Sequence, residues 1–73
     1  MLKHSTAVHY GVMLKSAIRA LREREHVSQP VFAYYMNVSK NLVSDWERGK
    51  RKPGGPALRL LGVIEKSGIE AII

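Results

Sequence analysis

The segment Ser28 to Lys52, SQPVFAYYMNVSKNLVSDWERGKRK, concentrates the side chains able to act on another molecule. At 100° per residue, Lys40, Asn41 and Ser44 fall on one side of a helical stretch, and Leu42, Val43 and Trp46 fall on the other. The first set donates and accepts hydrogen bonds in the patterns that base edges present. Lysine donates to guanine O6 and N7, asparagine pairs bidentately with adenine, and serine serves either base. A good bidentate contact of this kind discriminates by about 1–3 kcal/mol. Asp45 beside them has three open uses: it can accept from a cytosine amine, pair with Arg48, or repel wrong sequences. Arg48, Lys50, Arg51 and Lys52 follow at once, and such a run grips phosphates without reading sequence. Gln29 opens the preceding helix, where free N–H groups attract a phosphate. Ser39, at the start of the reading helix, is expected at the phosphates as well.

Other chemistry finds little support. His4, His9 and His26 do not fall at metal-ligand spacings, and no nucleophile–base pair can be assembled. With no cysteine in the chain, disulfides and thiolate metal sites are excluded. The expectation is a protein that is not an enzyme and carries no cofactor. Trp46 and Phe32 recur with other apolar residues at helical spacing, which assigns them to the core rather than to base stacking. Tyr34 and Tyr35 fall off that core face, so at least one of them is expected at the surface.

The elements that must position these residues follow from the same periodicity. Met1 to Val12 shows none and reads as a loose arm. From Met13 to Arg24 the apolar residues Leu14, Ala17, Ile18 and Leu21 mark a first helix. Ser28 is an N-cap, and Pro30 falls in the first turn where its missing N–H costs nothing. The second helix then runs from Gln29 to Met36. Asn37 tolerates the left-handed turn that ends it, with Val38 as the buried turn residue. Ser39 caps the third helix, Lys40 to Arg48, and Gly49 closes it. After a loop from Lys50 to Gly55, Pro56 opens a fourth helix with the stripe Ala57, Leu60, Leu61 and Ile64. Gly68 ends that helix, and Ile69 to Ile73 adds one short turn. Residues 13–73 thus form one all-α domain with a helix-turn-helix, preceded by the arm at 1–12.

Bulk properties agree. A chain of 73 residues is one small domain, and a core of that size gains from oligomerisation. Twelve Lys and Arg against six Asp and Glu leave a net charge of +6, which favours a polyanionic partner. The apolar runs are too short for a transmembrane helix, and no signal peptide is evident. These features predict a protein of the cytoplasm, at the nucleoid, without a membrane partner.

The segment Ile18 to Ile73 resembles the Xre/Cro-type helix-turn-helix repressors, and within them the HigA-type antitoxins. The matching pieces are IRALRE at Ile18–Glu23, SQPVFA at Ser28–Ala33, NVSKNLVSDWERG at Asn37–Gly49, KRKPGGPALRLL at Lys50–Leu61 and KSGIEAI at Lys66–Ile72. The resemblance implies a lambda-repressor-like bundle of four to five helices that binds an operator in double-stranded DNA as a homodimer, represses its own operon and neutralises a cognate RNase toxin. It places Lys40, Asn41, Ser44 and Asp45 at base-reading positions and Gln29 at a backbone clamp. It also implies an ion pair between Arg22 and Glu47, two residues that could otherwise be independent surface charges. One departure is plain: antitoxins of this type usually carry a longer, often acidic arm before the first helix, and this one is short and basic.

The closing Ile69, Ile72 and Ile73 are too apolar to stay in water, so they fold back on the core or meet a second subunit. A two-fold symmetric operator favours the dimer interface. Three readings compete with the antitoxin. One is a free-standing Xre-type regulator without a toxin, one a protein-interaction module that does not read DNA, and one a small basic RNase. The last needs a catalytic cluster on a sheet, and the pattern here is helical throughout.

Overall fold

A computed structural model describes residues 15–73. The expected arm at 1–12 and the first residues of the first helix, Met13 and Leu14, lie outside the described residues. Among the described residues four α-helices follow one another: α1 Lys15–Arg24, α2 Gln29–Met36, α3 Lys40–Arg48 and α4 Gly55–Ser67, with a 3-10 turn at Ile69–Ala71. There is no strand among the described residues, and the fold is the all-α bundle with a helix-turn-helix. No described helix is long and apolar enough to cross a membrane.

Three of the helices stop in the same way. Past the end of each of α1, α2 and α3 a residue turns left-handed: His26, two residues on, at φ 60°, and Asn37 and Gly49, each the next residue, at φ 60° and φ 77°. Each ending closes a pair of backbone hydrogen bonds, Val27 N to Arg22 O and His26 N to Glu23 O, Val38 N to Ala33 O and Asn37 N to Tyr34 O, Lys50 N to Asp45 O and Gly49 N to Trp46 O. This motif satisfies carbonyls that the helix would otherwise leave without partners. Asn37 and Gly49 meet the expectation; His26 is an addition. Val38 is half-buried rather than buried. The fourth helix opens one residue earlier than expected, at Gly55 with Gly54 as its cap, so Pro56 is its second residue. A proline is accepted there for the same reason as at the first position, because the first four N–H groups have no partner within the helix.

The core collects Ile18 and Leu21 from α1, Phe32, Ala33 and Met36 from α2, Val43 and Trp46 from α3, Leu61 and Ile64 from α4, and Ile69 from the closing turn. Trp46 and Phe32 are sealed from solvent, which confirms them as packing residues. α3 rests chiefly on α2 and α1, while α4 holds the turn and touches α1. The third helix is therefore clasped between two others along one face only.

The end of the chain corrects one expectation. Ile69 is 7% exposed and belongs to the protomer's own core, so it is not offered to a partner. Glu25 fixes it there: its Oε1 accepts from the Ile69 N–H at 2.8 Å. Arg24 adds a second hold by donating from Nη2 to the carbonyl of Ile64, in the last turn of α4, at 2.9 Å. Ile72 is half-buried against the core, and Ile73 is 70% exposed. Of the three isoleucines only the last two face outward at all.

Candidate nucleic-acid interface

Ser39 caps α3, and its hydroxyl oxygen accepts from the Leu42 N–H at 3.0 Å. Its own proton stays available to a phosphate, so capping and phosphate contact are compatible. Ser28 caps α2 in the same manner, more loosely, with Val31 N at 3.4 Å. Within α3, Val43 and Trp46 are buried and Leu42 packs beside them. Lys40 and Asn41 are exposed and Ser44 is half-buried. The structure thus brings the three side chains to the outward side of a helix whose inward side is the core, as the wheel requires.

Behind that helix sits a closed polar network. Arg22 of α1 grips Glu47 of α3 with two donors, Nε to Oε2 at 2.6 Å and Nη2 to Oε1 at 3.0 Å. Its remaining Nη1 donates to the Val27 carbonyl at 3.0 Å. The side chains are 14% and 5% exposed, so this is a sheltered, bidentate pair. The hydrogen bond to Glu47 is the main reason the Arg22 guanidinium holds its proton even more firmly than usual. Burial alone would push the Glu47 carboxyl up. Hydrogen bonds from Arg22 and Gln29, with the nearby positive charges, outweigh it and hold the pKa below the ordinary carboxylate value.

Gln29 is part of that network. Its Nε2 donates to Glu47 Oε1 at 3.1 Å, which occupies one of the two amide hydrogens. The other remains for a phosphate at the N-terminus of α2. The residue therefore ties α2 to α3, a role that its place in the sequence did not reveal.

Asp45 is engaged inside the chain as well. Its Oδ1 accepts from Arg48 Nη2 at 2.9 Å, and its Oδ2 stands 3.5 Å from Arg51 Nε. Of the three uses open in the sequence, pairing with Arg48 is the one seen. Arg48, Lys50, Arg51 and Lys52 are all exposed, and together they line the C-terminal end of α3.

One cation had escaped sequence reasoning. The Lys15 side chain of α1 lies over Gly49, with its Cδ 3.0 Å and its Nζ 3.8 Å from where a Cβ would stand. That brings an ammonium to the carbonyl end of α3, where positive charge is favourable, and enlarges the basic patch. No spacing rule connects positions so far apart. Among the described residues there is no group of His, Cys, Asp and Glu able to hold a metal ion.

Comparison with known proteins agrees with this geometry. The helix-turn-helix family matches residues 18–62, from within α1 into α4. Antitoxin HigA-2 of Vibrio cholerae serotype O1 is 33% identical over 49 residues, which is 67% of this chain and 47% of that protein. The chain spans about half the length of that relative. With its two capped helices around Asn37 and the matched span covering both, the chain belongs to the Xre-type helix-turn-helix family, a family of DNA-binding regulators, and resembles the HigA antitoxins within it.

Proposed function

We propose that this protein is a sequence-specific DNA-binding repressor, and that it serves as the antitoxin of a type II toxin–antitoxin pair whose operon it autoregulates. The observation that carries the first part is the two-sidedness of α3. Val43 and Trp46 seal it to the core while Lys40 and Asn41 stand in solvent beside an exposed cationic loop. In the major groove, Lys40, Asn41 and Ser44 meet base edges. Gln29, Ser39, Arg48, Lys50, Arg51 and Lys52 hold the flanking phosphates. A homodimer joined through Ile72 and Ile73 presents two such helices to a two-fold operator. The antitoxin part rests on the likeness to the Vibrio cholerae protein. The site of action on this reading is the cytoplasm, at the nucleoid.

The test uses the promoter region of the protein's own operon. Labelled duplex from that region should bind more tightly than a scrambled duplex at physiological salt, with retardation at a stoichiometry of two chains per site. Equal affinity for both duplexes refutes specific recognition. Asn41→Ala should weaken the specific complex by about 1–3 kcal/mol and relax preference at one base position. For the antitoxin role, a small RNase encoded next to this gene should arrest growth alone and not when both are expressed. If no such neighbour exists, the free-standing regulator is the correct reading.

A further inference from the structure

The loop that follows the reading helix is held from one residue within it. Asp45 receives Arg48 on one carboxylate oxygen at 2.9 Å and faces Arg51 with the other at 3.5 Å. Its backbone carbonyl accepts two more donors, the Lys50 N–H at 2.8 Å and the Arg51 N–H at 3.3 Å. Arg51 is thereby held both at its root and along its side chain. The carboxylate is 20% exposed, while the arginine side chains are 60% and 69% exposed. The negative member is sheltered and the positive members face out.

Exposed ion pairs contribute little to stability, so folding alone gives this arrangement scant purpose. Its effect is on freedom. Long arginine side chains lose considerable rotamer entropy when they are immobilised on a ligand, and these two are already restrained. Arg48 spends one Nη and Arg51 only its Nε, so each keeps further donors for an oxyanion. If the Asp45 carboxylate turned to accept from a cytosine amine, it would release both arginines.

We infer that Asp45 is a positioning residue that aims Arg48 and Arg51 at the phosphates flanking the recognised bases, and does not itself read a base. This rests on the DNA-binding reading above and deepens it. It also has a counter-intuitive sign. Removing a negative charge from a DNA-facing surface strengthens binding to any DNA. Removing a positioning residue weakens binding where correct register matters. Asp45 would then sharpen discrimination by holding the grip to one geometry.

The experiment uses the full chain and two probes: a duplex selected by the wild-type protein from a random-sequence library, and its scrambled counterpart. In Asp45→Asn, affinity for the scrambled duplex should hold or rise. Affinity for the selected duplex should fall about two- to five-fold, the span commanded by an exposed ion pair. The loss should be spread evenly over single-base variants of the duplex, and it should shrink in an Arg48→Ala/Arg51→Ala background. Nitrogen-15 relaxation of the arginine Nε–H groups in the free protein should show greater mobility at both arginines. An equal gain on both duplexes overturns the inference, because Asp45 is then only a charge. A loss confined to one base pair overturns it too, because Asp45 is then a reader. Unchanged arginine mobility removes the tether whatever the DNA result. A wild-type protein without preference for any selected duplex sinks the DNA-reading proposal and the positioning role with it, and the relaxation data then show whether the tether exists on its own.

Discussion

Glu47 shows how much can depend on a single carboxylate. It receives Arg22 from α1 and Gln29 from α2 while belonging to α3, so three helices meet on one side chain. Arg22→Ala would leave that charge buried without its main partner, at a cost of about 3–5 kcal/mol. Urea denaturation at neutral pH should register a loss of this size, and a loss below 1 kcal/mol would mean the pair relaxes into solvent. Acidification should act through the same groups. The Glu47 carboxyl lies below the ordinary value of 4.5 for the reason given. Glu25 lies below it chiefly because it accepts from the Ile69 N–H. A depressed folded pKa contributes stability that is present above the unfolded value and lost as pH falls through the folded one. The urea midpoint should therefore hold from neutral pH down to about 5 and drop below about 4.5. Glu25→Gln should remove part of that drop; an unaltered profile would exclude Glu25 from it.

The helix boundaries were largely written in single residues. Ser28, Ser39, Asn37, Gly49 and Gly68 each carry a local preference strong enough to announce a start or a stop, and each does so in the structure. His26 gave a weaker signal, because a left-handed ending is uncommon outside glycine even though histidine adopts it more readily than most residues. The turn is instead imposed by what surrounds it: the Val27 carbonyl is held by Arg22 and Glu25 by the far end of the chain. His26→Val should thus destabilise the fold by about 1–2 kcal/mol, since a β-branched residue is strained at positive φ. His26→Gly should be tolerated. Thermal melts of the two variants decide this, and equal melting temperatures would show that the turn has other conformations open to it. The two-sidedness of α3 was legible for a comparable reason, as a 3.6-residue period sorts Leu42, Val43 and Trp46 from Lys40, Asn41 and Ser44 without any knowledge of neighbours. The hydrogen bond from Gln29 to Glu47 and the place of Lys15 were not. Each depends on where a different helix lands, and periodicity carries no information on that.

At the scale of the molecule, the charge of +6 is not spread evenly in its effect. Lys15, Arg48, Lys50, Arg51 and Lys52 converge on the carbonyl end of α3. Replacing Arg51 by Ala should lower the salt dependence of DNA affinity by about one counterion per protomer, read as the slope of log affinity against log salt. An unchanged slope would place Arg51 away from the phosphates. The proposed dimer would join through another surface, where Tyr34, Tyr35, Asn37, Ile72 and Ile73 border one concavity. Ile73→Asp should yield a monomer in sedimentation with an intact helical spectrum, because that side chain is outside the core. A dimer that survives the change would move the interface elsewhere. The framework around α3 has one more outcome. What anchors this helix lies beneath it or at its two tips: Leu42, Val43, Trp46, Glu47, the Ser39 hydroxyl and the Gly49 turn. Lys40 and Asn41 bear none of that load. If these two positions read bases as proposed, vocabulary and grammar are separable in this protein, and a lineage could rewrite which DNA word it recognises there while inheriting the scaffold unaltered.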